Sequence, residues 1–100
     1  MIRINGMDDD TVQIDTDNGS VNVPLPIRES VIVTASSEDG GVEVSIWFEG
    51  PWWAFSIMQL PGEDVEVPWT VTFDQESSYS MVAEIQCPED TSWEYTTEPQ

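Results

Sequence analysis

Apolar and polar residues alternate one by one along most of this chain, and no segment shows the three-and-four spacing of a helix. The apolar set is β-branched, with eleven valines and eight isoleucines against two leucines, a composition that suits a half-buried pleated surface. The pattern predicts strands over Met1–Asn5 and Thr11–Thr16, and Asn18-Gly19 then marks a hairpin. Folding about that dipeptide pairs Thr16 with Val21, Ile14 with Val23 and Val12 with Leu25. The apolar residues fall on one face, with Gln13, Asp15 and Asn22 on the other. Pro24 and Pro26 confine the second strand to an edge or a bulge.

Ile27–Ser36 and Val42–Glu49 read as the next pair, and folding about Asp39-Gly40 sets Ala35 against Val44, Val33 against Ile46 and Val31 against Phe48. Gly50-Pro51 suits a type II′ turn that brings Trp53, Phe55 and Ile57 onto the same face. The reverse of this meander is mixed: Ile32, Trp47, Trp52, Ala54 and Met58 stand beside Thr34, Ser45 and Glu43. It is either covered by a second layer or an exposed apolar patch. Beyond the loop Pro61-Gly62-Glu63-Asp64, the chain either turns back as a hairpin or crosses to a second sheet. Tyr79–Cys87 and Ser92–Thr96 are the remaining strands. About eight short strands at intervals of roughly 8–12 residues make an all-β fold, a single small antiparallel β-sandwich or flattened barrel with little or no helix. One domain spans 1–96, and 97–100 are expected to be a flexible tail.

Charge changes the picture most. Twenty acidic residues face two basic ones, Arg3 and Arg28, with no lysine and no histidine, for a formal net charge of -18. Such composition leans toward disorder, but ten aromatic residues, five of them tryptophan, supply enough apolar area to fold a small chain. Nucleic acid and anionic membrane surfaces would repel this protein. Without histidine there is no imidazole base and no His-ligated metal. A β domain of this size without groove-forming insertions offers little substrate cleft, so no enzyme activity and no cofactor are expected. No run approaches the roughly 20 apolar residues of a membrane helix. The start lacks the apolar stretch of a signal peptide, and the single cysteine, Cys87, fits a reducing, cytoplasmic compartment. Before Pro88 and without a basic neighbour, that cysteine reads as a small buried apolar residue.

Asp8, Asp9, Asp10, Asp15 and Asp17 fall within ten residues and form the first candidate for an anionic contact surface. Calcium is the other chemistry carboxylates suggest, but Asp15-Thr16-Asp17-Asn18-Gly19 lacks the third acidic position and the later bidentate glutamate of a calcium loop, so no metal is assigned. Glu38, Asp39, Glu63, Asp64 and Glu66 extend the acidic set at turns, where polar residues are expected anyway. Glu43, Glu49, Glu66, Glu84 and Glu94 stand at outward strand positions with no lysine beside them. A folded chain of this mass exposes roughly 5,700 Å², about one net charge per 300 Å². Duplex DNA carries roughly one per 100 Å², so only a clustered face would compete with it. Most aromatics are needed for the core. Trp47 and Trp52 fall on the outer side of the meander, and tryptophan beside carboxylate suits arginine-rich partners.

These features imply a binding protein that occupies a basic surface of a partner, foremost the nucleic-acid channel of another protein. In size and charge alone, the chain resembles the small acidic inhibitors made by phages: DNA mimics, anti-restriction and anti-CRISPR proteins. Two rivals remain open. Abundant carboxylate with scarce lysine is also the signature of proteins adapted to high salt, and a virion-type β domain that oligomerises through its apolar reverse face fits the same strands.

Overall fold

The computed structural model describes residues 1–7, 10–38, 40–60, 70–77, 80–88 and 90–99. Within them every regular element is a β-strand, and the nine strands form two antiparallel sheets. Strands β1 (Ile2–Gly6), β2 (Thr11–Thr16), β3 (Gly19–Pro24), β7 (Thr70–Ser77) and β8 (Ser80–Gln86) make a five-stranded sheet in the order β3-β2-β1-β8-β7. Strands β4 (Glu29–Ser37), β5 (Gly40–Glu49), β6 (Trp52–Leu60) and β9 (Ser92–Pro99) make a four-stranded sheet in the order β6-β5-β4-β9. The architecture is an open sandwich, not a closed barrel, and it has nine strands where the alternation suggests about eight. The Cα radius of gyration, 13.2 Å, is that of a folded domain of this length.

Alternation decides what is buried. From the five-stranded sheet Ile2, Ile4, Val12, Ile14, Val23, Met81, Ala83 and Ile85 point inward; Val31, Val33, Ala35, Val42, Val44, Ile46 and Trp53 come from the other sheet, and Leu25 closes the core. Aromatic rings tie the layers together. Trp53 of β6 lies against Gly6 of β1, and a Cβ built on Gly6 would come within 2.7 Å of the indole. Only a residue without a side chain lets that ring lie on the opposite sheet. Phe55 of β6 stacks on Phe73 of β7 with centroids 3.7 Å apart, and Phe48 packs on Trp53. Phe55 has the inward parity expected of it, yet it is 43% exposed, as is Ile57, because β6 is an edge strand.

Two hairpins keep the expected face but shift by two residues. In β2–β3 the partners are Thr16 with Gly19, Ile14 with Val21 and Val12 with Val23. In β4–β5 they are Ala35 with Val42, Val33 with Val44 and Val31 with Ile46. A type I′ turn needs positive φ at both central residues, but Asp17 and Asn18 have none. Gly19 (φ 138°) and Gly40 (φ 101°) instead carry the positive angle as the first residues of the returning strands. An Asx-Gly pair serves either arrangement, and both leave the same residues facing the core. At β5–β6 the expected register holds: Phe48 pairs with Trp53 and Ile46 with Phe55. Gly50 has φ 66°, as the first central position of a type II′ turn requires.

β3, with its proline, is an edge of the five-stranded sheet, as expected. After Leu60 the chain crosses from one sheet to the other: β7 pairs with β8, not with β6. The expected loose tail needs correction. β9 runs to Pro99, and Thr97, Glu98 and Pro99 pair with Val31, Ser30 and Glu29, because the exposed side of β4 offers a full ladder of backbone partners.

Candidate functional site

The outward residues of the two sheets differ in kind. On the five-stranded sheet Arg3 stands directly across from Asp15 on one side and Glu84 on the other. Its guanidinium approaches Glu84 at 3.7 Å. Asn5 and Gln13 donate side-chain hydrogen bonds to the two Asp15 oxygens at 3.4 and 3.0 Å. Cross-strand neighbours lie about 4.5–5.5 Å apart, so the cation stands between two carboxylates; it pairs with Glu84, and amides satisfy Asp15. This face is polar and locally compensated.

The four-stranded sheet repeats the geometry without the cation. Thr34 stands across from Glu43 on one side and Glu94 on the other. No strand of this sheet carries lysine or arginine. Further along β5, Glu49 faces Trp52, and Trp47 faces Ala54. Trp47 and Trp52 are therefore diagonal neighbours, about 7–8 Å apart in a ladder of this kind. Trp52 and Met58 are each 53% exposed. On the reverse of the meander, then, the apolar exposure lies at Trp52 and Met58, while Ile32, Trp47 and Ala54 are half-buried and Ser30 is buried. Beside it lies a shallow open hollow of about 520 Å³ lined by Ser30, Ser45, Trp47, Phe48 and Glu49.

Among the described residues, the acidic side chains of the 8–17 run are spread along β2. Asp10 lies at the β1–β2 loop and Asp17 at the β2–β3 tip, on opposite ends of β2, which spans about 20 Å at a strand's rise. Asp15 faces outward between them, engaged as described. Asp17 pairs with the Met1 amine at 3.1 Å, and that bond holds the amine above its ordinary pKa, slight burial opposing. Glu38 is at the β4–β5 tip, at the same end as Asp17: Trp93, the partner of Ala35, shares a hollow with Asp17 and Asn18. Asp8, Asp9, Asp39, Glu63, Asp64 and Glu66 lie outside the described residues. Among the described residues no three acidic or cysteine side chains converge as a metal site would require, and no helix is long and apolar enough to cross a membrane.

Trp47 and Trp52 do meet on one face. The residues that frame them, Glu43, Glu49, Glu94 and Met58, were legible from parity: each shares the outward phase of its strand. Sequence spacing directs attention to the run at 8–17 instead, because it counts neighbours along the chain and not across strands. Cys87 is half-buried, packs on the core and lines the hollow beside Met1 and Trp93. Compared with protein-family models, with curated proteins and with solved structures, the chain matches none.

Proposed function

We propose that this protein binds and blocks a basic, nucleic-acid-binding surface of a partner protein. The observation that carries the proposal is the pairing of a net charge of -18 with a sheet face that displays Trp52 across from Glu49, half-buried Trp47, and the Glu43 and Glu94 carboxylates on either side of Thr34, with no lysine or arginine on any of its strands. Long-range attraction to lysine and arginine speeds encounter, burial of a few aromatic anchors slows release, and nucleic acid is then excluded from the occupied surface. In size and charge this is the strategy of phage-encoded DNA mimics and anti-CRISPR or anti-restriction inhibitors. It requires no catalysis and places the protein in the cytoplasm with its partner.

One observation favours a second reading. Asp10 and Asp17 at the ends of β2 and Asp74 on β7 carry exposed charge on the other sheet, a spread that suits solubility in concentrated salt. The composition of the source's other proteins separates the two: uniformly acidic neighbours favour salt adaptation, ordinary ones a dedicated role. The direct test is retrieval of partners on the immobilised protein at low salt, followed by elution with salt. A nucleic-acid-binding protein should elute, and its binding to a labelled duplex should fall as this protein is added. An eluate that binds its duplex equally well in the presence of excess protein overturns the proposal.

A further inference from the structure

The five-stranded sheet shows one way in which this fold answers a pair of carboxylates across three strands. Asp15 and Glu84 flank the strand between them; Arg3, which stands between, approaches Glu84 at 3.7 Å, and the Asn5 and Gln13 amides bind Asp15. In the four-stranded sheet Glu43 and Glu94 flank the strand between them, and the gap holds a threonine too short to reach either charge. Further along the same face, Glu49 stands across from the half-exposed ring of Trp52 and borders the hollow that Trp47 also lines. A planar cation laid on an indole with a carboxylate at its edge gains ring attraction and a charge-assisted hydrogen bond together. A guanidinium does this better than an ammonium, being planar, weakly hydrated and forked toward carboxylate.

Resting on the function proposed above, we infer that the outer face of the β6-β5-β4-β9 sheet is the docking surface for an arginine-bearing segment of a protein. One guanidinium sits over Thr34 between Glu43 and Glu94, at the register position that Arg3 holds on the other sheet. A second lies on Trp52 beside Glu49. Six strand steps separate Glu43 from Glu49, about 20 Å, so the two positions belong to different side chains of the partner. Aspartates at the hairpin tips contribute to steering and not to this contact.

The test uses an oligoarginine and an oligolysine peptide of equal length, titrated onto the whole protein at low salt. The wild-type protein should bind the arginine peptide about fivefold more tightly. Thr34→Arg supplies the missing cation from within and should weaken the arginine peptide by about fivefold or more. Asp74→Asn, an equal change of charge on the opposite sheet, should cost less than about twofold, as screening between distant exposed charges implies. Trp52→Ala should abolish the preference for arginine, with the thermal transition showing that the variant is folded. If both peptides bind but Thr34→Arg and Asp74→Asn weaken them equally, the docking face is wrong while binding of basic partners stands. If a preference for arginine survives Trp52→Ala, the indole is not the platform. If neither peptide binds, both this inference and the function beneath it fall.

Discussion

Arg3 and Thr34 hold matching places in the two sheets: each lies on an inner strand, faces outward and stands between two carboxylates, Asp15 and Glu84 in one case, Glu43 and Glu94 in the other. One face is closed on itself by an ion pair and side-chain amides. The other keeps its charges apart and sets tryptophan among them. Both sheets use the same backbone ladder and the same alternation, so folding does not demand the difference. What differs is how far each outer surface compensates its own charge.

The sharpest way to break this comparison is to ask whether the tryptophan face is structural after all. Trp52 and Trp53 are consecutive, and the strand sends them to opposite sides: Trp53 is 3% exposed and Trp52 53%. Trp53→Ala should cost about 3–5 kcal/mol, since it empties the space over Gly6 and removes the ring that joins the sheets. Trp52→Ala should change stability by no more than about 0.5 kcal/mol, as for surface positions generally. Urea denaturation of both variants measures the two values. Comparable losses would mean that the outer face is a packed layer, and its tryptophans would then need no partner.

A reciprocal exchange sharpens the comparison at smaller scale. Arg3→Thr gives the five-stranded sheet the uncompensated pair of the other and should destabilise by about 0.5–1 kcal/mol at low ionic strength. Thr34→Arg gives the four-stranded sheet its missing cation and should stabilise by about 0.5 kcal/mol. For a domain of this length that is a shift of about 2–4 °C in Tm. Both effects should fade near 1 M salt, where the Debye length is about 3 Å, while the wild-type Tm itself rises as its self-repulsion is screened. Thermal scans of the three proteins across a salt series provide the check. Effects of the same sign for the two exchanges would show that register neighbours do not sense one another, and the contrast between the faces would lose its electrostatic basis.

Alternation made most of this fold readable before any coordinates. It placed Val31, Val33, Ala35, Ile46 and Trp53 inside and Trp47, Trp52, Glu43 and Glu94 outside, because a strand has only two sides. It did not give the register of the first two hairpins. A shift by two residues preserves every side, so the core pattern is indifferent to it, and Asn18-Gly19 and Asp39-Gly40 each suit two turn geometries. Gly50-Pro51 was unambiguous because a proline at the second turn position leaves one geometry open. The site was harder to read than the fold for the same reason. Glu43 and Glu94 are far apart in sequence and become neighbours of Thr34 only through the pairing of β4 with both β5 and β9, a non-local fact. The strand over Thr97–Pro99 was missed likewise: its Thr-Glu-Pro run looks like a tail, and only the open side of β4 makes it a strand.

A last predicted effect bears on Arg28, the second arginine. Arg28 sits in the turn Pro26–Glu29, closed by a bond from the Glu29 amide to the Pro26 carbonyl at 3.2 Å, and it adopts φ 73°. That angle belongs to the third residue of a type II turn, where glycine is favoured. An L-residue with a side chain is held there at a cost of about 1–2 kcal/mol. Glycine would remove that strain but lose about 0.5–1 kcal/mol through the greater freedom of its unfolded chain. Arg28→Gly should therefore stabilise by a few tenths of a kcal/mol and up to about 1 kcal/mol, provided the guanidinium does nothing for the acidic face next to which the turn lies. Arg28 makes no ion pair within 4.0 Å among the described residues, which fits that condition. If Arg28→Gly instead destabilises at low salt and the loss vanishes at high salt, then Arg28 is a distant counter-charge for Glu49 and its neighbours. The face of the four-stranded sheet would then be partly compensated from its end, and the contrast with Arg3 would become one of distance and not of presence.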